Sequence, residues 1–558
     1  MKMFWLLLAT GFTISAQATT NFVETEMISE VVYVESPTDT NNDGQWDRLY
    51  VSIDRPNVSE KLATMYYISP YALGGTEIEM HGVDVDLLPQ DQQIQSWVKK
   101  LTPDYSKNFK THQSIPQINV QKYARISVHS LGTGRSTGCP TVGDDSEALA
   151  AKAVIDWLNG RAKAYYADGR VATADWANGN VGMTGVSYDG SLPVMVAATG
   201  VEGLKAIVPI AAVTSWYDYY RANGLVVNPG GYIGEDADIL GYYIARPGDC
   251  VSQMQNITRD MGREHGDFTK FWQDREYLKN ADKIKAATFI IHGQSDWNVK
   301  QKHAIQLWEV LNTAPKRMFL HRGGHSSTSA HGVPMKIQQW FDHYVQGVDN
   351  GITDGPQVEV ELPNGELMKQ ENWPHEKAAQ KRLYFASNQA LQIEADDEQV
   401  VKIVDNGRTQ SIERAVENPT QVQAGRLIFL SETLQKNTVL TGTAILHINM
   451  AVANRRAANL SYAIVEYDAN GRAKIITRGW ADPQNHRDLT QGDLLNPGQK
   501  YQLQVPFEPK QYRFLAGSRI GVLLASTDYL YTLRPTAGTQ IDVTLGMNSF
   551  VDLELVTE

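Results

Sequence analysis

The chain has 558 residues, 42% hydrophobic and 20% charged, with a formal net charge of -12. That length exceeds one ordinary core and implies two or three domains; the composition is that of a globular protein rather than a disordered or membrane one. The acidic balance speaks against a nucleic-acid partner, because phosphate binding relies on basic surfaces, and no phosphate loop or fixed-period repeat occurs.

Residues 1–18 read as a secretory signal: Lys2, an apolar run, and the small-residue site Ala16-Gln17-Ala18. The run is short for a membrane span and no later stretch qualifies. The expectation is an exported protein, periplasmic or extracellular, with no membrane partner. "DTNNDGQWD" follows, where Asp39, Asn41, Asp43 and Asp47 surround Gly44. This is partly the pattern of a calcium loop, but it lacks the distal bidentate glutamate. A β-turn with solvated carboxylates is the favoured reading and structural calcium the alternative.

Residues 19–214 and 281–355 alternate apolar strand-like runs with amphipathic helices, which predicts a mostly parallel, doubly wound sheet. Between them, 215–280 is aromatic-rich and helical, and reads as a cap inserted over the active edge of the sheet. From 356 to 558, short strands alternate with polar turns, predicting a β-sandwich of jelly-roll type. Cys139 and Cys250 occupy polar, turn-like settings. In an oxidising compartment they allow one disulfide; two separate thiols are the other reading.

The chemistry centres on "GVSYDGSLP". A strand-to-helix elbow normally reads G-x-S-x-G, yet here Asp189 stands where the second glycine belongs and Gly190 comes one place late. Ser187 needs a base and an orienting carboxylate. Asp296 follows the strand-like "TFIIHGQS" and His325 follows "RMFLHRGG", giving the chain order Ser, Asp, His at the carboxyl ends of successive strands. His292 and His321 fall inside strand runs, His303 on a helix, and His331 is a weaker loop-borne candidate. The Tyr188 amide would be one oxyanion donor, and Tyr71, which ends "MYYISPY", could supply the other from its hydroxyl.

The elbow, "HGQSDWNV", "GGHSS" and the segment from Thr199 to Leu240 resemble the Xaa-Pro dipeptidyl-peptidases. That serine peptidase family also contains cocaine-esterase-like and α-amino-acid ester hydrolases. The resemblance runs from about residue 30 to the C-terminus. It implies an α/β-hydrolase fold with a helical cap and a C-terminal jelly roll, no cofactor, and an elbow whose glycine stands late. It also implies Tyr71 as an oxyanion donor. The extra N-terminal helical domain of the large lactic-acid-bacterial members is missing, which leaves oligomeric state open. The expected substrates are peptides with a free N-terminus and proline second. Glu235 or Asp236 would hold the substrate ammonium, while Trp216, Tyr217, Tyr220, Trp297 and Asn298 would border the proline slot. Helix capping is the competing role for the two acids. An ester hydrolase using the same triad, and a noncatalytic carbohydrate-binding surface protein, are the alternative functions.

Overall fold

A computed structural model describes residues 26–85, 104–109, 122–246 and 250–558; the expected signal segment lies outside the described residues. An 11-stranded sheet forms the first body. Strands Val358–Glu361, Lys316–His321, Ala287–Gly293, Leu204–Ile210, Ala177–Val186, Leu62–Ser69 and Ala124–His129 lie side by side in that order, all parallel. Antiparallel strands finish both edges, among them Arg48–Pro56 and Met27–Glu35 at one end and Leu367–Gln370 at the other.

The residue pattern explains the layering. Ala287–Gly293 is buried at every position, as a strand covered on both faces must be. Successive side chains go to opposite cores: Tyr66 and Ile68 join the helices Asp145–Leu158 and Tyr188–Ala198, while Met65 and Tyr67 pack with Trp340 and Phe341 of Val333–Gln346. Asp144 caps the first of these helices, accepting the amides of Ser146 and Glu147.

The sequence pattern predicts a first domain ending at 355, but the hairpin Val358–Glu361/Leu367–Gln370 belongs to the large sheet. Its strands are too short for periodicity to assign them to one body or the other. The insertion carries the helices Trp216–Tyr220, Ala237–Ile244 and Val251–Asp260, and also a small hairpin, Arg221–Ala222 with Leu225–Val226. The β-rich C-terminal part has a 9-stranded and a 4-stranded sheet. Leu446, Ile448 and Val551 from one and Tyr462, Ile464 and Val522 from the other share a core.

Cys139 and Cys250 form a disulfide. It joins the segment after Ala124–His129 to the start of cap helix Val251–Asp260. Among the described residues no helix is long and apolar enough to cross a membrane.

Candidate active site

Ser187 stands between strand Ala177–Val186 and helix Tyr188–Ala198 with φ 66° and ψ -131°. A non-glycine residue holds such a conformation only where its surroundings impose it. Here a close strand–helix crossing does so. A Cβ on Gly185 would lie 2.3 Å from the Asp189 carbonyl oxygen, and one on Gly190 would lie 2.7 Å from the carbonyl oxygens of Gly185 and Ile210. The close approach therefore falls at 190, which is why position 189 can carry an aspartate. The elbow is locked by the Ser187 amide on Ile210 O and by the Gly190 and Ser191 amides on Ser187 O, each 2.9 Å.

Asp296 and His325 follow the strands Ala287–Gly293 and Lys316–His321. His325 Nδ1 lies 2.7 Å from Asp296 Oδ2, while Asp296 Oδ1 accepts the amides of Asn298 (3.0 Å) and Val299 (2.9 Å). The buried carboxylate is thereby aimed and satisfied. His292 Nε2 is 3.7 Å from Asp296 but donates to Val299 O at 2.8 Å, and burial lowers its pKa, which keeps it neutral. His321 bonds to Ser326 O and His303 contacts Thr214, both structural. His331 approaches Glu361 at 3.6 Å and is absent from the cavity wall.

A cavity of about 460 Å³ brings Ser187 and His325 together with Tyr71, Tyr188, Trp216, Glu235 and Asn298. As the first helical residue, Tyr188 has an amide without an intrahelical acceptor. Its side chain is anchored: the hydroxyl donates to Glu147 Oε2 at 2.7 Å. Burial above all, helped by nearby Asp189 and Glu235, raises the Tyr71 pKa well above the ordinary value, so the phenol keeps its proton.

Glu235 is 8% exposed and accepts the Tyr220 hydroxyl on Oε1 at 2.9 Å. Burial pushes its pKa up to about 7. Asp236 differs. It takes Arg221 at 3.0 Å and Arg263 at 2.8 Å, caps helix Ala237–Ile244, and does not line the cavity. With two guanidiniums on one carboxylate, its charge is already spent. Three expected aromatics also lie off the wall. Tyr217 donates to Gly266 O, Tyr220 stands behind Glu235, and Trp297 packs on Trp480 and Tyr531 of the C-terminal part. Adjacency in sequence to Asp296 or Trp216 does not tell which way a side chain turns.

Several lining residues escaped the sequence reading: Glu77, Ile78 and Met80 after the strand that precedes Tyr71, and Tyr219, Tyr232 and Tyr243 of the insertion. Glu147 was also missed. It holds Tyr188, accepts Ser130 Oγ at 2.5 Å and accepts the Gly143 amide at 2.9 Å. Only the tyrosine-rich texture of the insertion hinted at any of these.

In the 39–47 loop, Asp39 accepts the amides of Asp43 and Gly44 at 3.0 Å. Asp43 accepts that of Gln45, and Asp47 Oδ2 accepts from Thr38 and Thr40. These carboxylates serve their own turn. Among the described residues no group of three or more His, Cys, Asp or Glu side chains is placed to hold a metal ion.

Strained serine elbow, buried aspartate and strand-end histidine on a parallel sheet define a serine hydrolase of the α/β type. The chain belongs to the X-Pro dipeptidyl-peptidase S15 family, whose model matches residues 43–327; the C-terminal non-catalytic domain of X-Pro dipeptidyl-peptidases matches 350–550. A Bacillus anthracis relative, named provisionally as an Xaa-Pro dipeptidyl-peptidase, is 40% identical over 93% of this chain and 87% of its own length. An Xaa-Pro dipeptidyl-peptidase of Streptococcus thermophilus is 29% identical over 94% of this chain and 78% of its own. Among solved structures, a CocE/NonD family hydrolase from Staphylococcus aureus superposes with TM-score 0.68 at 17% identity, over 98% of this chain and 99% of that one. An α-amino acid ester hydrolase gives 0.69 at 16%, over 98% of both chains. These last two establish the shared fold.

Proposed function

We propose that the protein is an exported serine exopeptidase that releases Xaa-Pro dipeptides from the free N-terminus of peptides. The observation that carries this reading is Glu235. A buried carboxylate facing the cavity of Ser187 and His325 is costly without a cationic partner. A substrate ammonium would be that partner, and it would set the cut two residues from the N-terminus.

In this reading Ser187 attacks the carbonyl of the second residue while His325 takes the hydroxyl proton and returns it to the leaving amine. Asp296 holds the ring through Nδ1 and stabilises the imidazolium. The developing oxyanion takes the Tyr188 amide and the Tyr71 hydroxyl. The acyl-enzyme then falls to water by the same steps in reverse order. Trp216 and Tyr219, which share an edge-to-face contact (5.7 Å between centroids), offer apolar walls for a prolyl ring. No cofactor enters. The β-rich C-terminal part, read as a jelly roll, acts as a buttress, since Trp480 and Tyr531 carry Trp297 beside Asp296. The disulfide supports export.

The test is a panel of dipeptidyl-anilides on the purified chain. Preferential turnover of H-Gly-Pro-anilide is expected. Efficient cleavage of the N-blocked compound, or of simple esters alone, would replace this reading with that of an ester hydrolase.

A further inference from the structure

A second cavity, of about 230 Å³, lies between the catalytic sheet and the C-terminal β-domain. Among the described residues, its wall carries Arg322, Lys474 and Lys510 and no carboxylate, in a protein whose net charge is -12. Lys474 and Arg322 are exposed and form the rim; Lys510 is 9% exposed and sits within.

The cations are unequally compensated. Arg322 Nε reaches Glu361 at 3.3 Å, and that acid is off the wall. Lys474 Nζ has the Tyr512 hydroxyl at 3.3 Å; this hydroxyl is in turn given to Glu466 at 2.6 Å. Lys510 donates to the backbone oxygen of Gln294, and among the described residues no carboxylate is within ion-pairing distance of it. A desolvated ammonium with one neutral acceptor is an unfinished interaction. Burial, with Lys474 adding repulsion, pushes the Lys510 pKa down to about 7. Such a volume falls below the roughly 300–1,000 Å³ that drug-sized ligands occupy, so a small occupant is required.

We propose that this cavity binds a small multivalent oxyanion of the phosphate or sulfate class on Lys510, Lys474 and Arg322, and so ties the C-terminal domain to the loop that carries Asp296. The link is short. Gln294 donates to Glu361 O at 2.8 Å and Ser295 to Gly323 O at 2.9 Å, two and one residues before Asp296, and Lys510 grips the Gln294 carbonyl from the other domain. The inference is independent of the peptidase reading, because among the described residues none that lines this cavity also lines the one that holds Ser187.

Thermal melts and titration calorimetry of the full chain test it, with sodium phosphate, sulfate and acetate at up to 10 mM against chloride of equal ionic strength. Phosphate and sulfate should raise Tm saturably, by roughly 2–3 °C at one hundred times Kd, with acetate far weaker. Lys510→Met should abolish the shift. Should that variant fail to fold, the rim variant Lys474→Gln/Arg322→Gln should lower the calorimetric affinity at least tenfold. Absence of saturable heat, or a shift that survives in every folded variant, would overturn the proposal, because it would reflect general exclusion of the salt from the surface.

Discussion

Tyr188 gives its hydroxyl to Glu147 at 2.7 Å, so the residue whose amide faces the candidate oxyanion site is anchored by its side chain to helix Asp145–Leu158. Ser130 and the Gly143 amide complete the carboxylate, which burial raises in pKa. Tyr188→Phe removes one donor from a buried acceptor, at a cost of about 1–3 kcal/mol in stability. Because the elbow loses its tether, kcat should fall roughly 10- to 100-fold with KM little changed. Chemical denaturation and steady-state kinetics would check this; a loss confined to KM would deny the positioning role.

Ser187→Ala, Asp296→Asn and His325→Ala should each reduce kcat by roughly 10⁴-fold or more with melting curves retained, and double variants should lose little beyond the singles. The contact of 2.7 Å between His325 and Asp296 is the reason to expect a single unit. Near-normal turnover of Asp296→Asn would transfer the orienting role to another group.

Tyr71→Phe should lower kcat roughly 10²–10³-fold, as removal of one oxyanion donor does. Since the phenol's pKa is well above its ordinary value, the wild-type donor should still hold its proton at the pH where an ordinary phenol ionises. An alkaline limb in kcat that vanishes in Tyr71→Phe would contradict that.

The placement of Ser187, Asp296 and His325 was legible because chemistry and chain order coincide: each of these candidate residues stands just past a strand whose apolar run is visible. The catalytic strands and most of the later strands were legible for the same reason. The cavity wall was not. Asp236 and Glu235 are neighbours with the same chemistry, and the difference between them is made by Arg221 and Arg263, which lie 15 and 27 positions from Asp236. Trp297 likewise belongs to a cluster with Trp480 and Tyr531 that forms only when two distant parts of the chain meet. Short pieces such as Val358–Glu361 had too little length for their pattern to say which sheet they join.

The bridge between Cys139 and Cys250 closes a loop of 111 residues and pins the insertion to the sheet. Replacing both cysteines with serine should destabilise the protein by about 3–5 kcal/mol, the range for loops of this size. Activity at 25 °C should persist if enough folded protein remains. Denaturant melts of the double variant, with and without reductant, would measure the effect. The wild type should respond to reductant and the variant should not.

Glu235 separates a dipeptidyl-peptidase from a general esterase. Its carboxyl is buried, held by Tyr220 and raised to about 7, so below that pH it is neutral and can offer an ammonium only a dipole. As pH rises through 7 the carboxylate forms. The ratio of kcat/KM for H-Gly-Pro-anilide to that for a small neutral ester should therefore climb; taking the ratio cancels titrations that both reactions share. Glu235→Gln should flatten that climb and reduce the anilide reaction roughly 10²–10³-fold, while ester hydrolysis stays close to wild type. N-acetylating the dipeptide removes the same interaction from the substrate side, so variant and blocked substrate together should lose less than the sum of their separate losses. Proline preference should survive in Glu235→Gln, because the Trp216 and Tyr219 walls are a separate contact. A variant that loses ester and anilide hydrolysis alike would mean that Glu235 supports the elbow rather than the substrate.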